Sequence, residues 1–373
     1  MRSSRFTSLR RSGPDMPGSR SHSSLAVASA MAPAAAMVLL LVLAACTAER
    51  SGNSGSAPAG DSSPPATAGT AVIAPVEHGT LFVSNEGDNT LSVVDAATDS
   101  VIGTVPVGNR PRGMAVSLDG KTVYVALGRD NAVGVVDVAS RTMTDKIPCG
   151  TDPEQVALSL DGKTLYVSNE EIAMATAVDV ATKKTIFSVP VGKEPEGVLV
   201  TPDGQKVYVT NESSSSVTVL NAKTGKQRAQ FPVGARPRFV VFSRDGSKAV
   251  VTSEQGGSVT IVDLPKDVPL KTVPVGDSTK PTGVAISHDG LTAYFANGRA
   301  NRVSIFSIAA MMVTDTIPVG QRPWGVALTS DGNILYTADG RSNQVSEVDV
   351  IHKHVVRTIK VGERPYGVVI VGG

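Results

Sequence analysis

The chain has 373 residues, of which 41% are hydrophobic and only 4% are aromatic. The 35 lysines and arginines nearly balance the 34 aspartates and glutamates, so the chain lacks the global basic charge of dedicated nucleic-acid-binding proteins. The 36 glycines and 23 prolines favour many short strands joined by tight turns over long helices.

The first segment, residues 1–45, has the pattern of an export signal. Arg2, Arg5, Arg10 and Arg11 precede a polar stretch, and the apolar core at residues 34–45 ends in the sequence Leu-Ala-Ala-Cys at residues 43–46. This run resembles a bacterial lipoprotein signal, which implies cleavage before Cys46 and attachment of a lipid to its thiol. The alternative is an uncleaved anchor, because residues 25–45 nearly reach the length of a bilayer span. Both alternatives predict an exported, membrane-anchored protein at the cell surface or in the periplasm.

Residues 46–77 are rich in serine, glycine, alanine and proline and show no apolar periodicity. This composition predicts a flexible tether, which connects the anchor to a folded domain at residues 78–373.

Two short markers recur through the folded domain in one register. Pro-Val-Gly begins at positions 106, 190, 232, 274 and 318, with Pro-Cys-Gly at 148, and Asp-Gly begins at 119, 161, 203, 245, 289 and 331. Both markers advance in steps of 42 residues apart from one step of 44. Such a period indicates a repeat fold. Because Cys149 stands where other repeats have valine, we interpret it as a small buried hydrophobic residue.

Each repeat contains four short, β-branched segments between turn signals. In one unit they fall at residues 197–200, 206–210, 217–220 and 227–233, which we name strands A, B, C and D. The Asp-Gly pairs supply the positive φ that a tight A–B turn requires. Four strands per unit is the count of a propeller blade.

The two ends of the domain supply complementary parts of one further blade. Six complete units run from residue 113 to residue 361, residues 81–107 supply only strands B, C and D, and residues 367–371 supply only a strand A. The sequence therefore predicts an all-β fold, a seven-bladed β-propeller with four-stranded blades, whose ring is closed by pairing of the N- and C-terminal strands.

The residues Tyr208-Val209-Thr210-Asn211 carry the signature of the YVTN-family β-propeller repeats, with close variants at residues 166–169 and 82–85. The resemblance covers residues 81–371. It implies a bacterial or archaeal surface or periplasmic propeller, related to the seven-bladed domains of nitrous oxide reductase, haem d1 proteins and lactonases.

The D–A and B–C connections of all blades emerge on one face around the central channel, which we name the mouth face. The acidic residues between positions 152 and 212 predict a negative sector there, and the remaining blades a mostly positive one. Trp324 and Tyr366 stand beside arginines and predict an exposed platform, whereas the alternative is solvated loop charges with both rings packed over strand A. The candidate binding residues are Arg110, Arg112, Glu154, Glu194, Glu196, Arg236, Arg238, Arg322, Trp324, Arg364 and Tyr366.

None of the five histidines is predicted to lie on the mouth face. A copper cluster or an axial haem ligand would need imidazole there, so we predict no metal and no cofactor, and assign no catalytic residue. The carboxylates of Glu154, Glu194 and Glu196 remain possible acid and base groups.

Three functional hypotheses remain open at this point. The main prediction is a monomeric, envelope-anchored binding or scaffold module that recognises a protein, glycan or cell-wall partner through the mouth face. One alternative is a hydrolase or lyase of lactonase-like type acting on a small metabolite. The other is a nucleic-acid or polyanion binder that uses the mouth arginines.

Overall fold

The computed structural model describes residues 79–276 and 278–372, and this part of the chain is built from 28 strands and one short 3-10 turn, Gly128–Asp130. The predicted export signal, Cys46 and the tether lie outside the described residues. Within the described ranges, no helix has the length and apolar character needed to cross a membrane.

Strands of each type recur once per blade. The A strands are β4 (Pro111–Val116), β8 (Pro153–Leu158), β12 (Pro195–Val200), β16 (Pro237–Phe242), β20 (Pro281–Ile286), β24 (Pro323–Leu328) and β28 (Pro365–Val371). The B strands are β1 (Thr80–Asn85), β5 (Thr122–Leu127), β9 (Thr164–Asn169), β13 (Lys206–Asn211), β17 (Lys248–Ser253), β21 (Thr292–Asn297) and β25 (Ile334–Asp339). The C strands are β2 (Thr90–Asp95), β6 (Ala132–Asp137), β10 (Met174–Asp179), β14 (Ser216–Asn221), β18 (Ser258–Asp263), β22 (Arg302–Ser307) and β26 (Gln344–Asp349). The D strands are β3 (Ser100–Pro106), β7 (Thr142–Pro148), β11 (Thr185–Pro190), β15 (Gln227–Pro232), β19 (Val268–Pro274), β23 (Met312–Pro318) and β27 (His354–Lys360).

The strands form seven four-stranded antiparallel sheets, the blades of a propeller. Blade 1 has the order β28-β1-β2-β3, and blades 2 to 7 follow in chain order from β4 to β27. In blade 1 the last strand pairs with the first, with Thr80 opposite Val371 and Val83 opposite Val368. The predicted seven-bladed ring and its closure by the terminal strands are confirmed.

The A–B turns form because each supplies its own hydrogen-bond acceptors. In blade 2 the Asp119 carboxylate accepts the N–H of Lys121 at 3.1 Å, and the Ser117 hydroxyl accepts the N–H of Thr122 at 2.9 Å. Gly120 has φ 67°, a left-handed conformation that favours glycine. The Ser/Thr-x-Asp-Gly residues are thus explained by turn chemistry.

The apolar core is divided into seven clusters, most of them shared by adjacent blades. In the cluster between blades 4 and 5, the ring of Tyr208 packs edge-on against Phe242, with centroids 5.1 Å apart. Cys149 is 1% exposed in the cluster between blades 2 and 3, and burial raises the pKa of its thiol to about 12. The interpretation of Cys149 as a buried hydrophobic residue is confirmed.

The asparagine that ends several B strands ties the mouth loops to the sheet. Asn211 is fully buried, donates to the Thr218 hydroxyl at 2.9 Å and accepts the N–H of Gly192 at 3.1 Å. It therefore joins strands B and C to the loop that follows strand D. This contact fixes the start of the D–A loop between blades 3 and 4, which lies on the mouth face.

Candidate active site

Each blade places three residues on the mouth face at fixed positions. The rim position precedes the proline of the D–A loop and has φ between 50° and 59° in all seven blades, a conformation that side-chain-bearing residues rarely adopt. In four blades its N–H donates to an asparagine of the preceding blade, as Arg110 does to Asn89 at 3.0 Å. The loop direction is therefore set by the backbone.

The channel position follows the same proline and points into the central channel. Its side chains are 8% exposed or less in six blades, and Trp324 is partly exposed. The seven residues are Arg112, Glu154, Glu196, Arg238, Thr282, Trp324 and Tyr366. The third set, which we name the B-end position, follows strand B directly and consists of Glu86, Gly128, Glu170, Glu212, Glu254, Gly298 and Gly340.

Arginines and glutamates of the channel alternate in one buried network. Arg112 lies 2.6 Å from Glu154 and 3.4 Å from Glu196, and Arg238 lies 2.7 Å from Glu196 on the other side. Arg238 also lies 2.6 Å from Glu212 and 2.8 Å from Glu254. Buried charges are tolerated when they are paired in this way.

The aromatic residues pack into this network. Arg112 stacks over the ring of Tyr366 at 3.9 Å, and the Tyr366 hydroxyl donates to Glu196 at 3.0 Å. Trp324 lies 5.4 Å from Tyr366, with Arg322 stacked over it at 4.2 Å. Tyr366 is 2% exposed, so the predicted exposed platform of Trp324 and Tyr366 is wrong. The rings instead support the arginines that line the channel.

The two central glutamates have pKa values shifted in opposite directions. Burial and the neighbouring Glu196 raise the pKa of Glu154 well above its ordinary value, and the nearby Glu170 adds to the increase. Burial also raises the pKa of Glu196, but Arg238, Arg112 and the Tyr366 hydroxyl outweigh it and hold this pKa below the ordinary value. The pKa of Glu154 therefore lies above that of Glu196, so Glu154 is the first of the two to take up a proton as the pH falls.

Above Glu154, the mouth face opens into a groove of about 870 Å³ between blades 2, 3 and 4. Arg110 lies at its wall and contacts Asp152, Glu154 at 2.7 Å and Glu170 at 3.7 Å. Gly128 makes this approach possible, because a Cβ there would lie 3.0 Å from the Arg110 guanidinium. The groove thus presents a partly exposed arginine and a partly exposed carboxylate side by side.

The carboxylate oxygens of Asp152, Glu154 and Glu170 lie within 4.8 Å of one another, a spacing that a cation can bridge. Arg110 and Arg112 already pair with Glu154 at this place. We therefore describe the three acids as part of the ion-pair network.

The structure brings nine of the eleven candidate residues into this network and leaves two outside. Glu194 lines the groove, and its carboxylate accepts a hydrogen bond from the Ser213 hydroxyl. Arg364 is exposed, and its backbone N–H donates to Asn343. The predicted division of the mouth into a negative and a positive sector is wrong, because arginines of blades 2 and 5 turn into the acidic sector and pair with it.

Our list of candidates omitted the B-end glutamates, which complete the network. Arg322 lies 2.9 Å from Glu254, and Arg236 pairs with Glu212. Their signal is visible in the sequence, because a glutamate follows strand B directly in four of the seven blades: Glu86, Glu170, Glu212 and Glu254. Of the six mouth arginines among the candidates, all except Arg364 are thus held in ion pairs.

Comparisons with known proteins agree with the fold and point to an enzyme family. Residues 221–356 match the family model described as "Lactonase, 7-bladed beta-propeller". A segment of 39 residues is 49% identical to the PE-PGRS family protein PE_PGRS18 of Mycobacterium tuberculosis, but it covers only 10% of this chain and 8% of that protein.

Solved structures share the propeller over most of the chain. Hydrazine synthase from Kuenenia stuttgartiensis is 23% identical, with a TM-score of 0.67 over 77% of this chain and 99% of that chain. A putative 6-phosphogluconolactonase from Bacteroides fragilis is 18% identical, with a TM-score of 0.65 over 79% and 98%. Another, from Bacteroides uniformis, is 17% identical, with a TM-score of 0.67 over 79% and 100%. At these identities the likeness is one of fold.

The family match corrects our main functional prediction. A binding or scaffold module was expected from the sequence, but the matched segment has the pattern of an enzyme family, which favours the lactonase-like alternative. The same segment supplies Arg238, Glu254 and Trp324 to the channel network. The described residues therefore form a seven-bladed β-propeller, and residues 221–356 within it match the lactonase family model.

Proposed function

We propose that the protein is a hydrolase that opens the ring of a small lactone in the groove beside Glu170. The observation that carries the proposal is the placement of the Glu170 carboxylate 3.7 Å from the Arg110 guanidinium, at the wall of an open groove and above a carboxyl group with a raised pKa. The match of residues 221–356 to the lactonase family supports it independently.

The chemistry requires one base and one stabilising cation. Glu170 accepts a proton from a water molecule while the water oxygen bonds to the lactone carbonyl carbon, and Arg110 stabilises the negative charge that develops on the carbonyl oxygen. When the ring C–O bond breaks, Glu170 returns the same proton to the departing oxygen. The product is the open hydroxy acid, and the enzyme is restored.

Asp152 and Glu154 act as positioning residues in this scheme. Both contact Arg110 and orient its guanidinium toward the groove. Because Glu154 is 1% exposed, it cannot reach a bound substrate directly. Glu154 is also paired with Arg112, and the two arginines limit the net negative charge beside Glu170.

The first test is ring opening by the purified propeller. Glucono-δ-lactone, 6-phosphoglucono-δ-lactone and γ-butyrolactone would be supplied in turn, and acid release would be followed in a pH-stat above the spontaneous rate. We expect at least one to be opened, and Glu170→Gln to lower kcat by about 100-fold or more with an unchanged melting temperature, because removal of a general base has effects of this size.

Glu171→Gln is the matched control, since Glu171 lines the same groove but has no contact with Arg110 within salt-bridge distance. It should keep nearly full activity. A wild-type protein that opens none of the lactones above the spontaneous rate, or a Glu170→Gln variant with undiminished kcat, would count against the proposal.

We also propose that the propeller is exported and anchored by a lipid on Cys46, as the lipoprotein-like signal suggests. Expression in a bacterial host with a labelled fatty acid should label the protein, and Cys46→Ser should abolish the label and release the protein from membranes. A Cys149→Ser variant, in which the buried thiol is changed, is the control and should remain labelled. Label on the Cys46→Ser protein would contradict the proposal.

A further inference from the structure

Every pair of adjacent blades is connected by the same arrangement of side chains near the outer edge of the ring. Within a blade, three residues lie directly opposite one another on strands B, C and D, and we call them a row. In blade 2 the row consists of Tyr124, Val135 and Asp145. The C–D turn of the next blade places one left-handed residue against this row, here Lys183 with φ 59°. Lys183 pairs with Asp145 across the seam.

The left-handed turn residue of each blade contacts the row of the blade before it. Lys353 lies 2.9 Å from Asp315, and Arg141 donates at 2.8 Å to the carbonyl of Ile102, which directly precedes the row residue Gly103. The seven turn residues are Asp99, Arg141, Lys183, Gly225, Asp267, Met311 and Lys353. We name this arrangement the seam latch. It allows seven chemically different latches to be compared at equivalent positions in one molecule.

The latch between blades 7 and 1 differs from the other six at its centre. The C-strand residue of the row is apolar in six blades: Val93, Val135, Ala177, Val219, Ile261 and Ile305. In blade 7 it is Glu347, which is only 5% exposed. A buried acid where six equivalent positions are apolar is costly unless its charge is neutralised.

Glu347 adjoins a second carboxyl group, that of Asp99 in blade 1, near enough for a hydrogen bond when one of them is protonated. Arg357, opposite Glu347 on β27, pairs with Asp99. Among the described residues, no donor reaches Asp99 Oδ1 or Glu347 Oε2, and the fully buried Tyr336 hydroxyl has no partner. One exposed guanidinium thus faces the buried carboxyl group of Glu347 and the partly buried carboxyl group of Asp99.

The latch between blades 4 and 5 shows what a fully paired acid looks like at the same place. Asp267, the equivalent of Asp99, accepts a hydrogen bond from the Tyr208 hydroxyl at 2.5 Å and pairs with Lys206. In blade 7 the position of Lys206 is taken by the apolar Ile334, the first residue of β25. The second cation that would neutralise Glu347 is therefore missing.

We propose that Glu347 and Asp99 share one proton and form a pH-sensitive latch on the seam where blade 7 meets the ring-closing blade 1. The groups facing this proton are Asp99 from the C–D turn of blade 1, Arg357 from β27 and Tyr336 from β25, and Asp331 acts on Tyr336 from the A–B turn of blade 7. With the proton present, the pair carries one negative charge, which Arg357 balances. Without it, the buried carboxylate of Glu347 and the partly buried carboxylate of Asp99 repel each other.

The direction of the pH effect follows from the shifted pKa. Burial, together with Asp99, raises the pKa of Glu347 to about 7. In the unfolded chain the pKa of this glutamate has its ordinary value of about 4.3. The stability that the shared proton provides is therefore fully present below the unfolded pKa, and is lost as the pH rises through the folded pKa near 7.

The test compares melting temperatures from pH 5 to pH 9 for the wild type, Glu347→Gln and Glu347→Val. Glutamine reproduces the protonated acid at every pH, and valine reproduces the residue found in blades 1, 2 and 4. We expect the wild type to lose on the order of 5 °C relative to both variants between pH 5 and pH 8. Asp145→Asn, which alters a latch of opposite charges, should leave the wild-type pH dependence unchanged.

Local opening provides a second measurement that does not depend on global unfolding. Amide hydrogen exchange would be measured in β25, β26 and the turn before β3, and corrected for the intrinsic increase of exchange with pH. The corrected rate should rise between pH 6 and pH 8 in the wild type, but not in Glu347→Gln. Equal pH slopes for the wild type and both variants would overturn the proposal. So would recovery of the wild-type melting temperature at pH 8 on addition of Ca²⁺ or Mg²⁺, because this would identify the oxygens as a cation site.

Discussion

Arg238 makes the closest set of ion pairs among the channel arginines. Its guanidinium lies within 3 Å of Glu196, Glu212 and Glu254, and the side chain is almost completely buried. Burial alone would lower the pKa of Arg238, but the three carboxylates raise it instead. Each acid in turn depends on this cation for its charge to be tolerated in the channel.

Replacement of Arg238 by methionine should therefore destabilise the protein strongly. The variant keeps the side-chain volume but leaves three buried carboxylates with fewer cations, and loss of one partner from a buried pair costs about 3–5 kcal/mol. The free energy of unfolding, measured by denaturant titration at pH 7, should fall by this amount, and part of the loss should be recovered at pH 5, where the acids take up protons.

Arg364→Met serves as the control, because Arg364 is an exposed mouth arginine without a salt bridge among the described residues. Its effect on stability should be within about 0.5 kcal/mol, the range of ordinary surface substitutions. Similar losses for the two variants would indicate that the network contributes no more than surface charge.

At the scale of single residues, the sequence predicted which side chains lie at the mouth face, but not which of them pair with one another. Arg112 and Glu196 were both placed at the mouth by the repeat, yet they belong to blades 2 and 4 and are 84 residues apart. Only the curvature of the closed ring brings such side chains together across the channel. The exposure of Tyr366 was misjudged for the same reason, since its burial depends on Arg112 and Phe239 from other blades.

Among the strands, β28 has a role that no other A strand has. It joins the C-terminus to β1, and Leu81 and Val83 of β1 are fully buried beside it. Without β28, the backbone groups of β1 would form an open edge, of the kind that promotes association of strands between molecules. The terminal strand therefore closes both a sheet and the ring.

Deletion of residues 365–373 should therefore remove the cooperative unfolding transition or cause the protein to associate into larger oligomers. Circular dichroism during heating would report the first outcome, and size-exclusion chromatography with light scattering the second. Deletion of residues 372–373 alone, which lie beyond β28, is the control and should change neither. A monomer with an unchanged melting temperature after the longer deletion would contradict the role assigned to β28.

Strand boundaries were predicted well where the ladder is regular and less well at the channel. The apolar pattern began strand A of blade 4 at residue 197, whereas β12 begins at Pro195. The pairing register shifts between Pro195 and Val198, so the first residues of the strand leave the regular ladder. This irregular segment carries Glu196, a channel residue, and apolar alternation gives no signal for such a bulge.

The whole molecule combines a regular frame with an irregular channel. The strands and the turns that join them could be predicted from the repeat, because each repeat buries its apolar residues against its neighbours, whereas the seam latches were found only in the structure. The channel residues differ from blade to blade, and their charges are balanced only around the complete ring. A change in the order of the blades or in the way the ring is closed should therefore affect the repeated strands and the channel residues differently.

A circular permutant distinguishes the effect of ring closure on the repeated strands from its effect on the channel residues. Its new termini would lie in the loop between Val275 and Pro281, and a Ser-Leu-Asp-Gly-Lys turn, as in blade 2, would join Val371 to Thr80. This variant has seven blades of four consecutive strands, so no blade is completed by a terminal strand. We expect the fold and the channel network to be retained, because none of the residues Arg112, Glu196 and Arg238 is moved in its blade.

The permutant should nevertheless be less stable, because the seam between blades 5 and 6 would be closed only by side-chain packing. The native ring is closed by the backbone hydrogen bonds between β28 and β1. We expect a lower denaturant midpoint with an unchanged far-ultraviolet spectrum, and faster amide exchange confined to β19 and β20 at the new opening. A midpoint equal to that of the native chain would show that packing between blades closes the ring by itself, and that the shared blade adds nothing to stability.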